Sequence, residues 1–138
     1  SIVTGNADEA ARTLSQLKRI IRTNYSNPPI YGAKIVGTVL NNPELHKMWE
    51  NELTGMRVRI HEMRHKLVDE LNAKSNGQDF SFIIHQNGMF SYSGLTPEQV
   101  EKLRKDYSVY IVSTGRICVA ALNSHNLDYV ANAIAKVL

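Results

Sequence analysis

Residues 44–74, ELHKMWENELTGMRVRIHEMRHKLVDELNAK, decide how the rest of the chain is read. Leu45, Trp49, Leu53, Met56, Ile60, Met63, Leu67 and Leu71 follow one another by three or four positions, the spacing that lines one side of an α-helix. At 1.5 Å per residue the segment makes one helix of roughly 45 Å. That is longer than a domain of this size is wide, so the helix is expected to join two bodies or to be covered by further chain. Coiled-coil pairing is the competing account of such a stripe, but it calls for more sustained complementary charge beside the seam.

Upstream, Asn6 with Glu9 three residues on has the form of a capping box, and Ala10, Leu14, Leu17 and Ile21 recur at helical spacing to about Thr23. NYSNPP, residues 24–29, ends that helix. The next, through IYGAKIVGTVL, is expected to open with Asn27 as cap and Pro28 in its first turn. It is short and apolar enough to be buried, with Gly32 and Gly37 marking close approach of another backbone. Asn42-Pro43 opens the long helix.

Downstream, after the turn SNGQD, the alternation Phe80, Phe82, Ile84 predicts an extended segment. MFSYSG predicts a strand, Thr96-Pro97-Glu98-Gln99 caps a helix through Tyr107, and SVYIV and ICVAAL predict two strands around the turn STGR. Ser124 is expected to cap a last helix carrying Leu127, Val130, Ile134 and Leu138 on one face. The second half thus reads β-α-β-β-α, with no internal repeat and no low-complexity tract.

The chain has 138 residues, 43% hydrophobic and 21% charged, the composition of a soluble globular protein. No apolar run approaches the roughly 20 residues of a membrane helix. The start, SIVTGNADEA, has no initiator Met and no signal-peptide pattern, so the chain reads as an excised piece. The lone Cys118 cannot form an internal disulfide, which favours a reducing compartment. Sixteen basic and 13 acidic residues, net +3, are scattered evenly, which argues against a nucleic-acid footprint.

Within the long helix, HEMRH (61–65) has the His-Glu-x-x-His spacing of a zinc hydrolase. Advancing about 100° per residue from Ile60 turns His61 and His65 away from the apolar stripe. Arg57 and Arg64 flank the pair, and no third ligand stands out. Two exposed histidines on a mixed-charge helix are therefore expected, with no metal.

Two other stretches are not explained by packing. In IIRTNYSNPPIYG an arginine, Arg22, precedes a rigid double proline, and in STGRICVAAL Arg116 leads directly into an apolar strand. A guanidinium at the mouth of a sheet suits a carboxylate, which it meets through two parallel hydrogen bonds. Spacing alone leaves a solvated arginine or an internal ion pair as open alternatives.

NYSNPP, GMFSYSGLTPEQV and STGRICVAAL, in that order and with a long helix between the first two, resemble the C-terminal third of the aspartate aminotransferase family, pyridoxal-phosphate enzymes of fold type I. NPEL (42–45) and NLDYV (126–130) extend the resemblance over essentially the whole chain. It implies an α/β fold, seen here as an α+β fragment: helices from the end of the large domain (1–42), an inter-domain helix (43–76) and a β-α-β-β-α small domain (77–138). It implies that Arg22 binds the side-chain carboxylate of aspartate or glutamate across a homodimer interface. Arg116 would bind the α-carboxylate of amino acid or 2-oxo acid, Phe90 would line the substrate pocket, and Ser26 would lie near the neighbouring subunit's cofactor. The Schiff-base lysine of the family has no counterpart, so no catalytic residue is expected in this chain and the chain alone should be inactive. Thr114, Cys118 and Ala121 depart from the family's usual Ser, Asn or Ser, and Gly. The implied setting is amino-acid metabolism in the cytoplasm or, as in other members, the mitochondrion. A self-contained helical interaction module is the alternative, and a zinc hydrolase using HEMRH a distant third.

Overall fold

The computed structural model describes residues 2–138, which form two compact units, one up to Trp49 and one over Glu50–Leu138. The first contains α1 (Ala7–Asn24) and α2 (Tyr31–Asn41). α3 (Pro43–Lys74) contributes to both units. Then come β1 (Phe90–Tyr92), α4 (Pro97–Tyr107), β2 (Arg116–Cys118) and α5 (Leu127–Val137), with short 3-10 turns at Ser81–Ile83 and Val119–Ala121. The fold is α+β, mostly helical with one two-stranded antiparallel sheet among the described residues.

The helix starts follow their capping chemistry. Asn6 accepts from the Glu9 N–H at 2.9 Å, and the Glu9 carboxylate accepts in return from the Gly5 N–H and the Asn6 amide. Asn42 accepts from the N–H groups of Glu44 and Leu45 at the head of α3. Thr96 and Gln99 complete a reciprocal capping box on α4. Each arrangement satisfies backbone donors that the first helical turn leaves without partners.

α2 starts later than expected, at Tyr31, with Ile30 rather than Asn27 at its cap position. A residue before proline is disfavoured in the α region, and Pro28 itself precedes Pro29. Nor is α2 buried: Ile35, Val36 and Leu40 stand about half exposed. A side chain at Gly32 would meet nothing within 4 Å, and one at Gly37 only the Asn41 amide. The expected close approach of another backbone is absent among the described residues.

The apolar stripe of α3 has two fates. Met63, Leu67 and Leu71 are buried, joined by Val68, whereas Trp49, Leu53 and Met56 remain 45–59% exposed. The buried end packs into the core of the second unit with Phe80, Ile83, Leu103, Val119, Ala131 and Ile134. Lys74, at the end of α3, is tied to Glu70 and to Asp128 of α5, each at 2.5 Å.

Four expectations in this unit are corrected. The segment after the turn is a 3-10 turn rather than extended, so Phe80 and Ile83, three apart, are buried while Phe82 faces out. SVYIV is not a strand. Val109 and Ile111 face the core and Tyr110 and Val112 face away, but no neighbouring strand among the described residues pairs with them, and strand pairing requires a partner backbone. The last helix begins after Asn126 rather than Ser124. There the Asn123 side chain accepts from the N–H groups of His125 and Asn126 and holds 124–126 as a turn. Of the ICVAAL run only Ile117 and Cys118 are strand, continuing β2 from Arg116, and Val119–Ala121 turns away as 3-10.

Candidate functional site

The β1–β2 ribbon pairs Phe90 with Cys118, Ser91 with Ile117 and Tyr92 with Arg116. Because side chains alternate, Ser91 and Ile117 point into the core, and Phe90, Tyr92 and Arg116 share the open face. The Arg116 guanidinium sits 5.0 Å from the centre of the Phe90 ring, its diagonal neighbour on that face, a favourable cation–π placement. Among the described residues its N–H donors meet no carboxylate and no hydrogen-bond acceptor. Beside it lies a concavity of about 380 Å³ lined by Phe90, Tyr110, Ile111, Val112, Arg116 and Cys118.

The turn before Arg116 is built tightly. Gly115 has φ +77°, and a Cβ there would lie 2.9 Å from the Leu95 carbonyl oxygen and 3.2 Å from Ser93 Oγ. The Gly115 carbonyl accepts from both the N–H and the hydroxyl of the buried Ser93, at 2.9 and 2.6 Å. Gly115→Ala therefore combines a left-handed backbone with a backbone clash and should cost about 1–3 kcal/mol or more. Gly88→Ala is the control, since Gly88 has φ +82° but open space around it. Urea unfolding should show the larger loss at Gly115. Equal losses would mean that the close approach is not what requires glycine there.

Arg22 and Ser26 lie in the first unit, and both are exposed. Arg22 is in the last turn of α1, where a cation complements the exposed carbonyls. Ser26 has φ +61°, a left-handed conformation uncommon for serine, and its N–H shares the Ile21 carbonyl with that of Tyr25. Of the four residues singled out from the sequence, the structure thus brings Phe90 and Arg116 together, while Arg22 and Ser26 belong to the other unit.

His61 and His65 lie exposed on an open face of α3 with Arg57, Glu62 and Lys66. Among the described residues no group of three or more His, Cys, Asp or Glu side chains could hold a metal ion. Arg64, noted from the sequence only as flanking these histidines, is 1% exposed. It lies about 40° round the helix from Ile60, on the apolar stripe, and that angle was its signal. Tyr92 and Tyr110 also belong to the Arg116 face without having been singled out. Tyr110 joins it because the unpaired 109–112 segment folds alongside β2, which no local pattern shows.

The residues present do not fit a complete pyridoxal-phosphate site. The lysines are exposed except Lys74, which is ion-paired, and no lysine lines the concavity beside Arg116. No step through that cofactor can be assigned to this chain's side chains. Among the described residues no helix is long and apolar enough to cross a membrane.

Residues 2–134 match the family model for aminotransferase class I and II. The chain is 59% identical to an aspartate aminotransferase of Pseudomonas aeruginosa, over all of this chain and 35% of that protein. A crystal structure of an aromatic-amino-acid aminotransferase from Burkholderia pseudomallei, covalently bound to pyridoxal phosphate, superposes with a TM-score of 0.93 at 63% identity, covering 99% of this chain and 34% of that one. A mitochondrial aspartate aminotransferase from Trypanosoma brucei gives a TM-score of 0.89 at 48% identity, covering 97% of this chain and 35% of that one. The chain spans about a third of the length of these relatives.

Proposed function

The chain belongs to the aminotransferase class I and II family, and from that premise we propose that it is the C-terminal portion of an aspartate aminotransferase. The full-length protein would exchange the amino group of L-aspartate with 2-oxoglutarate, giving oxaloacetate and L-glutamate. The observation that carries this reading is Arg116, seated on the Phe90 ring with its donors unspent at the edge of a concavity. A planar fork of N–H groups, oriented beforehand, is what a carboxylate needs for two parallel hydrogen bonds.

Pyridoxal phosphate, when bound by the rest of the polypeptide, would supply the electron sink for breaking the Cα–H bond. This chain would supply grip and choice. Arg116 would orient the α-carboxylate while Phe90 walls the pocket. Arg22 would reach the partner subunit's site in a homodimer and meet the side-chain carboxylate, with Ser26, in the loop that follows α1, near that neighbour's cofactor. The strained backbone at Ser26 supports a functional loop. Residues 1–42 would close the large domain, 43–76 form the inter-domain helix and 77–138 the small domain; the division between the compact units falls within that helix. We place the enzyme in the cytoplasm, with the mitochondrion as the alternative.

A specific observation favours a second reading, that aromatic amino acids are substrates as well: the 63%-identical structure is an aromatic-amino-acid aminotransferase. A self-contained interaction module is disfavoured, since the family match runs over nearly the whole chain.

The test compares two proteins. The full-length protein loaded with pyridoxal phosphate is expected to transaminate aspartate and to yield one borohydride-trapped lysine. The isolated 138-residue chain is expected to yield neither, and to self-associate through the exposed side chains of α2 and the first half of α3. A stoichiometric adduct on a lysine of the isolated chain would contradict the reading.

A further inference from the structure

We propose that Arg64 is a positioning residue for the carboxylate site: from inside the core it fixes the 83–91 segment so that Phe90 stands beneath Arg116. The inference rests on the proposed role of Arg116 and adds to it the device that sets its geometry.

Arg64 is an unusual core residue. Its side chain is almost fully buried, yet among the described residues no carboxylate neutralises it. Burial alone accounts for the downward pull on its pKa. Its partners are neutral oxygens from three places in one segment. Nη1 donates to the Ile83 carbonyl at 3.2 Å and to Ser91 Oγ, and Nη2 donates to the Gly88 carbonyl at 2.5 Å. A rigid planar fork reaching three oxygens fixes their mutual positions in a way a single flexible contact does not. A buried, unpaired cation is costly to keep, and core packing at this position would be served as well by methionine.

What the fork holds is the stretch that carries Phe90. Gly88 and Ser91 bracket Phe90 in sequence, and Ser91 is the inward-facing residue of β1. Anchoring Ser91 inward sends its neighbour Phe90 outward, where the ring lies under the Arg116 guanidinium. The other strand is held at the same end of the ribbon, just past Cys118, the partner of Phe90, since Arg59 of α3 donates to the carbonyls of Ala120 and Leu122 at 3.2 and 2.8 Å. The helix thus grips both strands at the end of the ribbon where Phe90 pairs with Cys118, and Arg64 holds the strand that bears the aromatic platform.

The experiment is a double-mutant cycle in the full-length holoenzyme, read by calorimetric titration with succinate, a non-reacting dicarboxylate, alongside kcat and KM for aspartate. Arg64→Met keeps the volume and removes the donors. It should weaken succinate binding about tenfold, the scale of losing hydrogen bonds from a charged donor, and raise KM more than it lowers kcat. Arg64→Lys should recover part of the loss. In an Arg116→Ala background, Arg64→Met should add little, because the geometry it supports no longer has a reader. Should Arg64→Met not fold, Ser91→Ala carries the same cycle with a smaller effect. Equal losses in both backgrounds, or unchanged succinate binding, would overturn the positioning role and leave the function of Arg116 standing. Unchanged binding in Arg116→Ala itself would overturn both.

Discussion

Alanine in place of Arg116 in the full-length protein is expected to lower kcat/KM by roughly 30-fold to several thousand-fold for every amino acid tested, the equivalent of about 2–5 kcal/mol for a lost charge-assisted pair in an enclosed site. The α-carboxylate is common to all amino acids, so aspartate, glutamate and phenylalanine should suffer by a similar factor. Arg116→Lys restores the charge without the planar fork and should recover only part of the loss. Phe90→Leu leaves the arginine in place without the ring beneath it and should cost about 0.5–1 kcal/mol, a few-fold effect. Steady-state kinetics on the three substrates decides the matter. A loss confined to the dicarboxylic pair would assign Arg116 to the side-chain carboxylate and remove the α-carboxylate role.

Arg22→Ala is expected to fail selectively. It should cut kcat/KM for aspartate and glutamate by several kcal/mol, on the order of 2–5, while phenylalanine is left nearly untouched, because only dicarboxylic substrates would use that contact. Specificity for acidic substrates then collapses although the chemistry survives. The expectation that Arg22 serves the other subunit's site gives a sharper test. If one subunit's Arg22 and Arg116 contribute to different active sites, a hybrid dimer of Arg22→Ala and Arg116→Ala subunits has one doubly damaged site and one intact site. Such a purified hybrid should show about half of the wild-type aspartate activity. A hybrid no better than either parent would exclude shared sites of this kind.

Much of the architecture was legible in local chemistry. The caps at Asn6, Asn42 and Thr96 and the spacing of Ala10, Leu14, Leu17 and Ile21 set α1, α3 and α4 nearly as expected, because a helix satisfies its backbone within its own segment. Strands are different. MFSYSG became β1, but SVYIV, with the stronger β-forming composition, remained unpaired. β-propensity describes fit to a neighbour, and the neighbour is a tertiary fact. The alternation at Phe80, Phe82 and Ile84 misled for a related reason: over so few residues a period of two and a period of three are barely distinguishable, and burial of Phe80 with Ile83 chose three.

The candidate site divides the same way. Arg22, Ser26, Phe90 and Arg116 were named from motif identity and order, but no spacing showed that Phe90 would lie under Arg116, since that contact depends on the antiparallel register. Arg64 shows the difference most plainly. Its residue type said surface, its helical angle said core, and only the arrangement of Ile83, Gly88 and Ser91 around it provides the oxygens that make burial tolerable. By itself, then, the sequence determined the helices, the caps of α1, α3 and α4 and the family resemblance, because each is written in residues close along the chain. The tertiary structure alone decided which segment found a strand partner, which half of the α3 stripe was buried, and which arginine was held inside while another was left open at the surface, because those outcomes turn on contacts between residues far apart in sequence.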